Sequence, residues 1–228
     1  MCGRFTLVKE IEEIEERFDA KFSQNSYSKN YNAAPSNFLP VITGEISDQI
    51  QFFQWGLVPS WSKSTQIAYK TINAIKETIT EKPTFKNAFA SKHCLVLADG
   101  YYEWKTEGKD KIPYRITVNN GEAFAFAGIW ETWESVSTKI PLYSFSIITI
   151  PALPEISHLH ERMPVILSAE SEKEWLNSKN EEDSLELLKA PEINQIQYYS
   201  VSKKVNKVFN NSPELIEPYN HPIQGSLF

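Results

Sequence analysis

At 228 residues, with 41% hydrophobic and 13% aromatic content, the chain is long enough to bury a substantial core, and it holds no apolar run near the roughly 18 residues of a membrane span. The net charge of −6 argues against broad nucleic-acid affinity, but residues 9–19 hold six acids against two bases and residues 170–192 hold eight against three. The remainder carries +3 and can host a local basic groove. Two cysteines, Cys2 and Cys94, make no disulfide framework, and the first residues show no signal-peptide pattern, so a reducing, cytoplasmic setting is expected.

In chain order, residues 2–7 (CGRFTL) read as a short strand. Residues 9–20 predict a helix with Ile11, Ile14 and Phe18 on one face and glutamates on the other. NYNAAP, 30–35, is rich in turn formers. FLPVIT and IQFFQWGLVPSW follow as strand material, and 71–78 (TINAIKET) is short and polar at intervals. A helix is predicted over 85–92, then one strand over 94–104 (CLVLADGYYEW) and a hairpin turn at TEGKDK. PYRITV, AFAFAGIW and YSFSIITI give three more strands. SHLHERMP, 157–164, is a loop leading into PVILS. Ser171 and Glu174 form a capping-box pattern for a helix around Trp175, and IQYYSVS precedes a proline-punctuated tail. The pattern is one α+β domain over 1–228, with a dominant antiparallel, barrel-like sheet and peripheral helices.

Cys2 directly follows Met1. Removal of Met1 is expected, since cysteine is small, and would leave an α-amine and a thiol on adjacent carbons. With pKa values of about 8 and about 8.5, the pair suits an aldehyde: the amine forms a Schiff base and the sulfur closes a five-membered thiazolidine. Two other readings of Cys2 stay open, an amide-cleaving nucleophile using its own amine as base and a buried structural cysteine. Three further polar clusters interrupt the apolar β pattern: Asn73 in TINAIKET, Glu103 in DGYYEW, and His160 with Arg162 in HERMP. Strand alternation puts Glu103 on one face with Tyr101, opposite Tyr102 and Trp104. Aromatic surroundings raise a carboxyl pKa and suit a proton shuttle. His158 and His160 make an H-x-H pair, but His93, Cys94 and Cys2 add no metal-site spacing, so neither metal nor cofactor is expected.

Seven motifs in order, CGRF, YNAAP, WGLVPSW, INA-x-x-ET, DGYYEW, H-x-RMP and VS-x-x-VN, resemble the SOS-response-associated peptidase (SRAP) family from residue 2 to about residue 218. The resemblance implies a self-processing sensor of abasic sites in single-stranded DNA, which crosslinks to the ring-opened sugar through a thiazolidine and acts as a monomer in the DNA-damage response. On this resemblance Cys2 is the nucleophile, Asn73 orients the terminal residue or the sugar, Glu103 moves protons, and His160 assists as acid or base. Arg4 and Arg162 match phosphate or sugar contacts and Trp61 a base-stacking platform. Where the family usually has Asn-Ala-Arg this chain has Asn73-Ala74-Ile75, so a DNA-contacting cation is missing, and Lys76 points elsewhere in an extended segment. Two competing classes remain: a thiol peptidase or N-terminal-nucleophile amidohydrolase built on Cys2 and His160, and a non-enzymatic single-strand binding module using Trp61 and Arg162.

Overall fold

The computed structural model describes residues 2–24, 27–135, 139–192 and 195–221. Met1 lies outside them. β1 (Phe5–Leu7) is followed by α1 (Ile11–Phe18), β2 (Lys21–Phe22), β3 (Asn30–Ala33), β4 (Phe38–Thr43) and β5 (Ile46–Trp55). Next come β6 (Asn73–Ile75), α2 (Lys86–Ser91), β7 (His93–Ala98), β8 (Gly100–Glu107) and β9 (Asp110–Val118). The two longest strands, β10 (Phe124–Glu134) and β11 (Pro141–Pro151), lead to β12 (Arg162–Pro164) and β13 (Ile166–Leu167). α3 (Ala169–Asn177), α4 (Glu181–Leu187) and β14 (Ile196–Ser200) complete the order, with 3-10 turns at 203–206 and 213–216.

The strands form two sheets around one core. The first is antiparallel in the order β14-β9-β8-β1-β3. The second runs β12-β11-β10-β7-β4-β5-β2, and β5 returns to pair in parallel with β11 through Ser144–Gln54 and Phe145–Trp55. That pairing closes β7, β4, β5, β11 and β10 into a five-stranded mixed barrel. The α+β, barrel-like class expected from the sequence is therefore observed. Phe124 to Glu131 are buried without a break. A strand covered on both faces carries such a run where a half-exposed strand would alternate.

α1 buries Ile14 completely and packs Phe18 on the core, while Ile11 stays 37% exposed. α3 is anchored by Trp175, which is fully buried, stacks on His93 with centroids 4.0 Å apart, and donates its indole N–H to the Cys94 carbonyl at 3.1 Å. Truncating such a side chain to alanine costs about 3–5 kcal/mol.

Four local expectations are corrected. Asn30–Ala33, read as turn, is a strand, because pairing with β1 outweighs the turn preference of asparagine. The run 94–104 is two strands, broken at Asp99, and β7 and β8 belong to different sheets. The strand through IQFFQWGLVPSW ends at Trp55: Gly56 takes φ +116°, and a Cβ there would lie 2.6 Å from the Ala68 carbonyl oxygen. The α3 cap is Ser168, whose hydroxyl accepts from the Ser171 amide at 3.3 Å, one turn before the predicted Ser171 box.

Asp99 joins the sheets. Its carboxylate accepts from the Thr6 hydroxyl and the Val8 amide on the β1 side and from Arg115 of β9 at 3.0 Å. Arg115 also donates to the Tyr199 hydroxyl at 2.9 Å. A Cβ on Gly100 would meet the Arg115 guanidinium at 2.8 Å, so a side chain there would displace the arginine from this network. This buried network fixes β1, which follows Cys2, against β8, which carries Glu103.

Candidate active site

Cys2 is fully buried at the entrance to β1, its Sγ 3.7 Å from the Arg4 carbonyl. Asn73 opens β6 and donates its Nδ2–H to the Cys2 carbonyl at 2.8 Å. Its own Oδ1 is buried without a hydrogen-bond partner. β6 is held in parallel against Ile147–Thr149 of β11, and the indole of Trp55 donates to the Ile72 carbonyl at 2.9 Å. Trp55 and Gly56 of WGLVP thus set the strand that positions Asn73. The sequence reading missed these two residues, although the motif that contains them was in view.

Glu103 is 4% exposed, on the same face of β8 as Tyr101, while Tyr102 and Trp104 pack on the other side, as alternation requires. Burial pushes the Glu103 carboxyl from 4.5 up to about 7. Burial pushes the Cys2 thiol far above its ordinary value, with the charge of Glu103 as the next cause. Tyr101 is raised in the same way, by burial, then Cys2 and Glu103. Cys2, Tyr101 and Glu103 therefore sense one another's charge. The Tyr101 hydroxyl is buried without a hydrogen-bond partner.

A cavity of about 430 Å³ is walled by Glu103, Trp104, Lys111, His160 and Asn206. His160 holds its ring by accepting the Arg162 amide on Nδ1 at 3.0 Å, and burial lowers its pKa. His158 faces Tyr198, with ring centroids 5.5 Å apart, and so does not share a ligand position with His160. Among the described residues no group of three His, Cys, Asp or Glu side chains could hold a metal. A larger cleft, about 640 Å³, lies around the start of α3 and contains none of these residues.

The two arginines are held within the fold. Arg162 forms a two-point pair with Glu77 at 2.7 and 2.8 Å and donates to the Thr149 carbonyl at 2.6 Å. That pair lowers the Glu77 carboxyl and ties the turn after β6 to β12. The Arg162 Nε is buried without a partner. Arg4 donates to Asn32 Oδ1 at 2.7 Å and to the Val205 carbonyl at 2.9 Å. Asn32 Nδ2 reaches the carbonyls of Val205, Lys207 and Asn210 at 3.0–3.2 Å. Asn206 accepts from the Trp104 indole at 2.7 Å. Asn32, in YNAAP, thus holds the carbonyls on either side of Asn206, in VS-x-x-VN, 173 and 175 positions away, a connection not legible from spacing. Lys76 donates to the Leu188 carbonyl at 2.8 Å, away from the place that Ile75 leaves without a cation. Trp61 stands 56% exposed on the loop after β5. Cys2, Asn73, Glu103 and His160 are thus brought together, and Trp61 is a surface residue of a separate loop.

The SOS response associated peptidase (SRAP) family matches residues 1–208. Abasic site processing protein YoqW of Bacillus subtilis is 44% identical over 225 residues, covering 96% of this chain and all of its own. Abasic site processing protein YoaM of the same organism is 44% identical over 227 residues, covering 97% of this chain and all of its own. An X-ray structure of a protein from Bacteroides thetaiotaomicron superposes with a TM-score of 0.89 at 31% identity, covering 96% of this chain and all of that one. A match across nine-tenths of the sequence, with relatives at this identity over their full length, establishes that the chain belongs to the SOS response associated peptidase family.

Proposed function

We propose that this protein processes abasic sites in single-stranded DNA by forming a covalent thiazolidine through Cys2. The family membership and the names of its relatives support DNA abasic-site processing. One observation carries the chemical step: Asn73 holds the Cys2 carbonyl while Glu103, at about 7, sits within electrostatic reach of the thiol. Loss of Met1, by the chain's own peptidase activity or another's, supplies the α-amine.

The raised thiol pKa orders the steps. A thiol held protonated by burial is a poor first nucleophile. The amine therefore attacks the ring-opened sugar aldehyde first. A C–N bond forms, the protonated Glu103 carboxyl gives the proton with which the hydroxyl leaves as water, and the product is a protonated Schiff base. Glu103 then takes the thiol proton, sulfur adds to the iminium carbon, and the electron pair of the C=N bond returns to nitrogen. The net change is loss of one water. A Schiff base left open acidifies the neighbouring carbon and invites β-elimination and strand cleavage. Ring closure removes the iminium and so shields the lesion. His160, on the cavity wall with its pKa lowered, serves as a neutral base toward the sugar. Asn73 Oδ1 offers an acceptor to a sugar hydroxyl, and Trp61 and the Arg162 edge receive the strand.

The test is intact mass after mixing with an oligonucleotide that carries one abasic site. The expected product is protein lacking Met1 plus oligonucleotide minus one water, stable to heating. Adduct on protein that retains Met1 would overturn the aminothiol mechanism. Release of a cleaved peptide with no DNA adduct would favour the thiol-peptidase class instead.

A further inference from the structure

One surface beside the cavity has no part in the chemistry above. Residues 202–210 (SKKVNKVFN) contain three lysines and no acid. Lys203 pairs with Asp110 at 3.2 Å and Lys204 with Glu214 at 2.7 Å. Lys207 stands over the ring of Phe209 at 5.8 Å, and Phe209 is 80% exposed, the most exposed of the large hydrophobic side chains described. Val208 beside it is 52% exposed. A ring left this far outside forgoes the hydrophobic stabilisation that burial would give it.

The segment that carries Phe209 is rigidly held. Asn32 binds the carbonyls of Val205, Lys207 and Asn210, Arg4 binds that of Val205, and Asn210 Nδ2 donates to the Lys204 carbonyl at 2.8 Å. Val205 is fully buried beneath it with Tyr102. A clamped backbone with an aromatic face turned outward is what a stacking platform needs, because little side-chain order is lost when a base lies on it. The segment is continuous with the reactive cavity: Asn206 is part of the cavity wall and immediately precedes Lys207, and Lys111, an exposed cation, lines the same wall.

We propose that this face binds the nucleotides flanking the reacting sugar, with one base stacked on Phe209 and phosphates met by Lys207 and Lys111. The occupant is single-stranded nucleic acid. Its flexible backbone can turn out of the cavity, its bases have open faces, and its charge complements these lysines. The inference rests on the proposed abasic-site function for its place in the reaction, but not for its measurement. The segment also gives the chain cationic and aromatic contacts beyond the motif in which Ile75 replaces arginine; the total of contacts, more than any one cation, sets affinity for a single strand.

The test separates noncovalent binding from adduct formation. A fluorescent oligonucleotide without a lesion is titrated across a salt series with wild type, Phe209→Ala, Phe209→Trp and Lys207→Gln. Phe209→Ala should weaken binding roughly 5- to 150-fold with the salt slope unchanged. Lys207→Gln should flatten the slope by about 0.7, the value for one phosphate of a single strand. Phe209→Trp should bind at least as tightly as wild type, which shows that the ring and not the fold is responsible. Unchanged affinity in both Phe209→Ala and Lys207→Gln would overturn the proposal. A change in sedimentation of Phe209→Ala with unchanged oligonucleotide affinity would assign the patch to self-association and overturn it too. If binding falls in Phe209→Ala while wild type forms no adduct with an abasic strand, the platform stands and the covalent reading of Cys2 fails.

Discussion

The surroundings of Cys2 and Cys94 differ more than their burial does. Both side chains are fully buried and both thiols are pushed up by desolvation. Around Cys94 nothing else acts: it lies in the barrel wall on β7, beside Val96 and under Gly128 of β10. Around Cys2 a carboxyl with a pKa near 7, an asparagine on the carbonyl and a buried phenol converge. Burial alone makes a cysteine inert. Reactivity comes from what is buried with it.

Exchanging the two sulfurs gives the largest expected effect. Cys2→Ala should abolish the heat-stable adduct on a denaturing gel and leave only a borohydride-trappable Schiff base through the amine. Cys94→Ala should form adduct at the wild-type rate and lose about 1–2 kcal/mol of unfolding free energy in denaturant titration, as buried truncations of a small side chain do. Wild-type adduct in Cys2→Ala, or none in Cys94→Ala, would erase the distinction between the two regions.

Glu103→Gln removes the proton carrier. Adduct formation should slow by about 10²–10⁴-fold, the range for a positioned acid–base group, and the inflection near pH 7 in the wild-type rate profile should vanish. Stability should move the other way. The folded protein holds the Glu103 proton more tightly than the unfolded chain does, so the benefit is complete below pH 4.5 and is lost as the pH rises to about 7. Above pH 7 wild type carries a penalty on the order of 3 kcal/mol that the glutamine variant lacks. Thermal melts from pH 4 to pH 8 measure the difference, and parallel pH profiles for the two proteins would place Glu103 outside the reacting group.

The smallest effect belongs to the quiet cysteine. A Cβ on Gly128 would lie 2.8 Å from the Cys94 Sγ and 2.8 Å from Val96. Gly128→Ala should cost about 1–3 kcal/mol, and Cys94→Ala in the same chain should recover part of it. Adduct rate should stay at the wild-type value in both proteins, since neither residue meets Glu103 or Asn73.

Legibility in the sequence followed the range of the interaction. Alternation along DGYYEW put Glu103 and Tyr101 on one face because that rule is local, and the structure keeps it. The apolar runs of β10 and β11 predicted strands for the same reason. Closure of the barrel by parallel pairing of β5 with β11 left no mark in either strand, since a pairing partner is not encoded in a strand's own period. The break at Asp99 was hidden because an aspartate inside an apolar run looks like a solvent-facing residue, and here it is a buried anion answered by Arg115 from another strand. Asn32, Trp55 and Asn206 belonged to motifs that were seen, but their work is to hold carbonyls and indoles far away along the chain.

The bond from Arg4 to Val205 spans 201 positions of sequence. A ribosome delivers the first of these residues long before the second. At about 5–20 residues per second the interval is on the order of 10–40 s. Throughout that time the nascent chain carries the cysteine but lacks the segment that binds Arg4 and supplies Asn206 to the cavity wall. β8, with Glu103, arrives about halfway through, and Asn206 only near the finish. An aldehyde met by the growing chain thus encounters an ordinary thiol, and the organised reagent comes into being only once Asn206 and its neighbours have been made.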